Sequence, residues 1–297
     1  MSIAPPPHVF TLTGNLLAER TLTFSAWNPG KTQRAAGESF QVGGKGINVS
    51  KMLSRLRVPN TALVFAGGAP GAESEAWLRA RGFNFHLFPT HAPSRVGVVV
   101  RSHAEGQAET TFLGPDVPPD AEAIRACADY LSAKEAGQVL ALCGSFPGWG
   151  DASFEPLHDV IDEWIEHGKV FVDVYGPPLA WFLKRRVDLI KINADELLPF
   201  APDLANLPPN ATAKRWVVTN GPGPVQIRDL DGSVSAATPP LVREVSPTGS
   251  GDVLFACLLD GLCARGMRLR DAVLYALPSA AANAAHAGVA EFPELVR

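Results

Sequence analysis

Apolar positions along the chain fall into two alternating kinds of run. Short blocks of strand length, continuous or alternating, occur at 9–13, 62–66, 83–88, 139–142, 170–174, 189–190 and 216–219. Longer stretches with apolar residues three and four apart, at 46–56, 73–81, 120–131, 154–167, 179–184, 194–200 and 253–262, predict helices. Their alternation predicts βαβ units and a largely parallel sheet covered by helices, an α/β fold. Segments 21–25 and 39–42 alternate apolar and polar residues like half-buried strands, and 95–101 with 108–112 reads as a hairpin around Ala104-Glu105-Gly106. Residues 241–245 read as a short extended segment, Pro208-Pro209 and Pro239-Pro240 mark loops, and no internal repeat appears.

Composition narrows the function classes. The 297 residues are 46% apolar and 19% charged, enough apolar content for a sizeable core. A formal charge of -4 and the lack of a basic tract argue against nucleic acid as a partner. Residues 272–290 carry no Asp, Glu, Lys or Arg, but they are mostly alanine with Pro278, Asn283 and His286, which predicts a packed helix and no membrane span. The first eight residues are proline-rich and lack the regions of a secretion signal. Four cysteines (127, 143, 257 and 263) have no metal-ligand spacing and read as reduced core thiols, so a cytoplasmic location is expected.

Two glycine-rich segments carry the chemistry. Thr248-Gly249-Ser250-Gly251-Asp252 opens a helical run, where backbone N–H groups can converge on an anion. Asp252 directly after that turn can take a proton from a hydroxyl attacking phosphorus. Gly43-Gly44-Lys45-Gly46-Ile47-Asn48-Val49 again runs from a predicted strand into a helix, with a fixed positive charge at Lys45. Neither the Walker spacing nor the Gly-x-Gly-x-x-Gly fingerprint is present, which disfavours a P-loop enzyme and an NAD-dependent dehydrogenase.

Together the two segments resemble the paired signatures of the PfkB/ribokinase family of carbohydrate kinases, with Ser250 where the second signature has Ala. The likeness extends over nearly the whole chain. Residues 11–21, Cys143-Gly144-Ser145-Phe146-Pro147-Gly148 and Lys191-Ile192-Asn193-Ala194-Asp195-Glu196-Leu197 look like motifs of the branch containing 1-phosphofructokinase and tagatose-6-phosphate kinase. The resemblance implies a single ribokinase-like domain spanning 1–297: a doubly wound sheet with a discontinuous β lid at about 9–42 and 93–113, and the site between lid and sheet.

It also implies roles. Asp252 would be the base, with the N–H groups of Gly249, Ser250 and Gly251 as the anion hole. Glu19, Gly43, Gly44, Lys45, Asn48 and Arg95 would bind the sugar, and Lys45 with Arg95 could pair with a phosphate it already carries. Glu19 stands where the family has Asp, and Leu16 where it has Pro. Lys191, Asn193, Thr219, Gly221 and Gly223 would face ATP. Asn283 could face the adenine or ribose, or pack between helices. Spacing alone makes Asn193 and Glu196 a capping box; the resemblance makes them organisers of Mg2+ and its waters.

The expected activity is transfer of the γ-phosphoryl group of ATP to a phosphorylated ketohexose: fructose 1-phosphate, fructose 6-phosphate or tagatose 6-phosphate. The alternatives are a kinase for an unphosphorylated sugar or nucleoside, and a non-catalytic sugar-phosphate-binding regulator. A homodimer is plausible on sheet-edge grounds.

Overall fold

The computed structural model describes residues 6–102 and 109–294. In chain order its elements are β1 (Val9–Thr13), β2 (Leu17–Phe24), β3 (Gly37–Gly43), α1 (Lys45–Arg55), β4 (Asn60–Gly67), α2 (Gly68–Ala80), β5 (Phe85–Thr90), β6 (Arg95–Ser102) and β7 (Thr110–Leu113). There follow α3 (Ala121–Ser132), β8 (Val139–Gly144), α4 (Glu155–His167), β9 (Lys169–Val174), α5 (Pro177–Phe182), β10 (Leu189–Asn193) and α6 (Ala194–Leu197). The last are β11 (Trp216–Asn220), β12 (Gly223–Arg228), β13 (Val234–Ala237), α7 (Ser250–Leu259) and α8 (Leu269–Ala284).

Nine strands form the large sheet in the order β13-β12-β11-β10-β9-β8-β1-β4-β5, parallel except for β12 and β13. Period-two alternation sends its side chains into two helical layers. Leu140 and Leu142 join the core with α3 and α4, while Val139, Ala141 and Cys143 join the core with α1, α7 and α8. The chain passes from β1 to β4 on one side and to β8 on the other. The topological switch therefore lies at the carboxyl ends of β1 and β8, where open α/β sheets hold their ligands.

A second, four-stranded sheet has the order β3-β2-β6-β7. The expected lid boundary needs correcting, because β1 is not part of this sheet. All five residues of β1 are buried and it pairs in parallel with both β4 and β8, which makes it a central strand of the large sheet. The small sheet begins at Leu17. β6 and β7 pair antiparallel as the hairpin expectation requires, while its turn at Ala104-Glu105-Gly106 lies outside the described residues.

Other departures have local causes. Residues 241–245 form no strand; Leu241 is exposed beside Pro239 and Pro240, which cannot donate to a ladder. The antiparallel strand β12 and the edge strand β13 carry little β signal in the sequence, because one opens Gly223-Pro224 and the other is Val-Ser-Ala-Ala. Helix α2 starts at Gly68, earlier than expected, and accommodates Pro70 in its first turn, where an N–H has no intrahelical partner. The charge-poor run at 272–290 is α8 and a following loop, and among the described residues no helix is long and apolar enough to cross a membrane.

Candidate active site

Two cavities flank the Thr248–Asp252 turn. One, of about 200 Å3, lies between the small sheet and the carboxyl ends of β8 and β9, and is lined by Glu19, Gln41, Lys45, Asn48, Arg95 and Tyr175 among others. The second, of about 420 Å3, is walled by Thr219, Gly221 and Pro222 on one side and by Leu254, Leu277 and Ala281 on the other. Thr248 lines the first, and Ser250 and Gly251 line the second. The glycine turn is the partition between them.

Local sequence shapes that turn. Gly249 caps α7 in the left-handed region (φ 74°), and a Cβ there would come within 2.5 Å of Val289. Ser250 donates its N–H back to Pro247 O at 3.2 Å, so that group closes the turn. Of the three N–H groups expected in the anion hole, that of Ser250 is thus engaged; those of Gly249 and Gly251 keep the expected role, and Asp252 N–H, in the first turn of the helix, can join them. Asn283 braces the turn from α8. Its amide donates to Thr248 O (2.9 Å) and Ser250 Oγ (3.0 Å), and its oxygen accepts from Ala290 N–H (2.8 Å). It is fully buried, so the packing alternative holds and the nucleotide-facing one does not.

Asp252 sits in the first turn of α7, 6% exposed, and accepts from Asn48 Nδ2 at 2.7 Å. Burial pushes its carboxyl up to about 6, with nearby Asp173 adding to the rise and Lys45 and Lys191 opposing it. Asp173, at the end of β9, is buried between two ammonium groups, Lys45 at 2.7 Å and Lys191 at 2.8 Å. Burial alone would raise its pKa, yet the two lysines hold it below the usual carboxylate range. Lys45 is raised in turn: Asp173, Asp252 and Glu196 together outweigh its burial. The Lys191 ammonium also lies against the anion turn, since a Cβ on Gly251 would be 2.7 Å from its Nζ. A carboxylate with a raised pKa thus lies among cations that could neutralise phosphate charge.

Lys45 and Arg95 reach the same cavity but bind different partners. Lys45 joins the Asp173 pair, whereas Arg95 Nη1 pairs with Asp116 at 2.8 Å, so the expected two-cation clamp is not formed. Asn193 and Glu196 do form the capping box: Glu196 N–H donates to Asn193 Oδ1 (2.8 Å) and Asn193 N–H to Glu196 Oε2 (2.9 Å). Glu196 Oε1 remains, 3.7 Å from Lys45 Nζ. Among the described residues no group of three or more His, Cys, Asp or Glu could hold a metal by itself. That suits Mg2+, which takes few protein ligands and keeps waters and substrate phosphates. Glu196 would be its protein contact.

On the nucleotide side, Gly221 (φ 51°) and Pro222 form the two-residue loop between β11 and β12. Gly223 is already strand, packed on Asn220 and absent from the cavity wall, which corrects its expected nucleotide contact. On the sugar side, Glu19 accepts from Gln41 Nε2 across the β2–β3 ladder. Gly43 and Gly44 also line that cavity. Asp173, Asn15 and Asp116 were not singled out from sequence. For Asp173 a signal existed, as the one acid in an apolar strand run ending at the sheet's carboxyl edge.

A family model described as "pfkB family carbohydrate kinase" matches residues 15–295. The chain belongs to the pfkB family of carbohydrate kinases. It is accordingly a phosphotransferase with an alcohol acceptor, using ATP and Mg2+. The 1-phosphofructokinase of Bacillus subtilis is 23% identical over 291 residues, covering 93% of this chain and 92% of that protein. The ATP-dependent 6-phosphofructokinase isozyme 2 of Escherichia coli is 26% identical over 267 residues, with 84% of each chain covered. The D-tagatose-1-phosphate kinase of Klebsiella oxytoca is 26% identical over 190 residues, 64% of this chain and 61% of that one. The fold matches phosphofructokinase-2 from Escherichia coli in complex with fructose-6-phosphate, with a TM-score of 0.82, 23% identity and 93% of each chain covered. A ribokinase from Thermotoga maritima gives 0.71 with 16% identity and 96% of each chain covered.

Proposed function

We propose that this kinase phosphorylates a ketohexose that already bears one phosphate. The observation that carries it is a single cavity lined both by Asn48, whose amide donates to the Asp252 carboxylate, and by the nearly buried guanidinium of Arg95. A sugar with phosphate at one end can place its free hydroxyl toward Asp252 and its phosphate on Arg95. The attacking oxygen forms its bond to the γ-phosphorus, the hydroxyl proton passes to an Asp252 carboxylate oxygen, and the bond to the departing ADP oxygen breaks with its electron pair. Gly249, Gly251 and Asp252 N–H groups with Lys191 meet the charge on the transferred group. Glu196 Oε1 would hold Mg2+ or one of its waters, and the ion would supply charge neutralisation on the nucleotide phosphates.

The names of the relatives support this substrate class, since they specify fructose and tagatose phosphates. Release of ADP should be screened across fructose 1-phosphate, fructose 6-phosphate, the tagatose 1- and 6-phosphates, ribose and nucleosides. Highest kcat/KM on one of the four ketohexose phosphates is expected; a best substrate without phosphate sinks the proposal. Strands β2, β3, β6 and β7 act as a lid in this scheme, and a cytoplasmic homodimer is its expected form. Light scattering on the eluting protein checks the dimer.

A further inference from the structure

The anion site around Arg95 is already filled, and by a residue of the protein itself. Two donors converge on one oxygen of Asp116: Arg95 Nη1 at 2.8 Å and Asn15 Nδ2 at 2.7 Å. Both donors are fixed. Asn15 is buried after β1 and also donates to Ser145 Oγ at 3.1 Å, while Arg95 opens β6 with its side chain 11% exposed. The acceptor is of another kind. Asp116 is 52% exposed at its side chain and lies on residues 114–120, which form no helix or strand.

The geometry points to Asp116 as a built-in occupant of the substrate-phosphate site, one that a phosphorylated sugar must displace. The inference rests on the phosphate role proposed above for Arg95. A phosphate brings three acceptor oxygens and up to two negative charges, so it can take the Asn15 and Arg95 Nη1 contacts with more acceptors and more charge than the carboxylate it replaces. Its negative charge also repels the carboxylate it replaces, and residues 114–120 have no ladder to break as Asp116 moves out. The occupant keeps Asn15 and Arg95 aligned and charge-balanced in the empty protein. It also raises the threshold for weak anions, because a ligand must outcompete an intramolecular carboxylate. Asp116 is therefore a specificity-determining residue without touching the reacting atoms.

Calorimetry on the full chain without nucleotide tests this, with fructose 1-phosphate, fructose 6-phosphate, tagatose 6-phosphate and unphosphorylated fructose as ligands. Asp116→Ala and the near-isosteric Asp116→Asn should each tighten the best-binding sugar phosphate by about three- to tenfold, a scale between an exposed ion pair and a buried charge-assisted bond. Fructose should bind as to the parent protein. Circular dichroism of both variants guards against misfolding. If both bind the sugar phosphate equally or more weakly, while Arg95→Ala selectively weakens phosphorylated ligands, Asp116 aligns the clamp and the occupant idea is wrong. If Arg95→Ala shifts fructose and its phosphates alike, Arg95 holds no phosphate, and the inference and the substrate class beneath it fall together.

Discussion

At the scale of single residues, the site turns on what burial does to Asp252. A carboxylate works as a base only when ionised, and this one is pushed up to about 6 by burial and by Asp173. The sign follows directly: kcat/KM should be flat above that value and fall about tenfold per pH unit below it. A profile flat down to pH 4.5 would remove Asp252 from the base role. Asp252→Asn should keep the fold and lower kcat by about 10²- to 10⁴-fold. Retention of a tenth of parental activity on the best substrate would be equally damaging. Asp252 was legible in the sequence because its glycine context is local. Asp173 and Asp116 were not, because their roles exist only through partners far along the chain: Lys45 lies 128 residues from Asp173, and Asn15 lies 101 from Asp116. Asn283 could be singled out, but whether it faced ligand or helix depended on where Thr248 and Ala290 came to lie.

At the scale of elements, two helix ends set the geometry. α7 begins where it does because Gly249 adopts a left-handed conformation and Asn283 of α8 ties down the turn before it. Asn283→Leu keeps the volume but strands Ala290 N–H and Thr248 O in the interior, at a cost of about 1–3 kcal/mol for each unmet group. Thermal denaturation should register that loss, and kcat should fall by more than sugar binding weakens, since the base and the anion-binding N–H groups depend on the turn whereas most of the sugar cavity's wall lies elsewhere. A drop in stability without any change in kcat would limit Asn283 to packing. α6 is the second case. The Asn-x-x-Glu spacing predicted a capping box, and the box is present; what the spacing could not show is that Glu196 Oε1 faces Lys45. Glu196→Gln should keep much of the cap, because an amide oxygen still accepts, yet raise the Mg2+ concentration needed for half-maximal activity. Unchanged Mg2+ dependence would leave Glu196 with the cap alone. Strands β12 and β13 escape the hydrophobic pattern because β12 opens on Gly223 and Pro224, which interrupt its alternation, and the edge strand β13 is a short Val-Ser-Ala-Ala with one buried residue.

At the scale of the molecule, the core of the large sheet was legible because its inner parallel strands, such as β1, β4, β8 and β9, are buried on both faces and so read as apolar blocks. The small sheet's extent was not, since β1 has strand character in either sheet and only its neighbours decide. This division has a mechanical consequence. The small sheet supplies Glu19, Gln41 and Arg95 to the sugar cavity, while the base and the anion turn belong to the large sheet's α7. The two halves of the site therefore meet only if the sheets keep, or reach, one relative position. Among the described residues, the polar contacts between them include exposed ones: Arg20 Nη2 donates to Glu73 of α2 at 2.7 Å, Arg101 Nη2 donates to Ala287 O at 3.0 Å, and Thr248 Oγ1 donates to Glu109 Oε1 at 3.4 Å. Such exposed bonds are weak enough to open and re-form. A sugar phosphate contacting both halves adds bonds only when they are together, and so shifts the population toward closure. Closure would also exclude water, which otherwise competes with the sugar hydroxyl for the transferred group. Amide hydrogen exchange in β2, β3, β6 and β7 should slow when the sugar phosphate binds, with β8 and β9 nearly unchanged because their amides are already protected in the sheet. Arg101→Ala should speed exchange in β6 and β7 of the free protein. If saturating ligand slows exchange in none of the four strands, the small sheet is a fixed wall of the cavity and does not close over it.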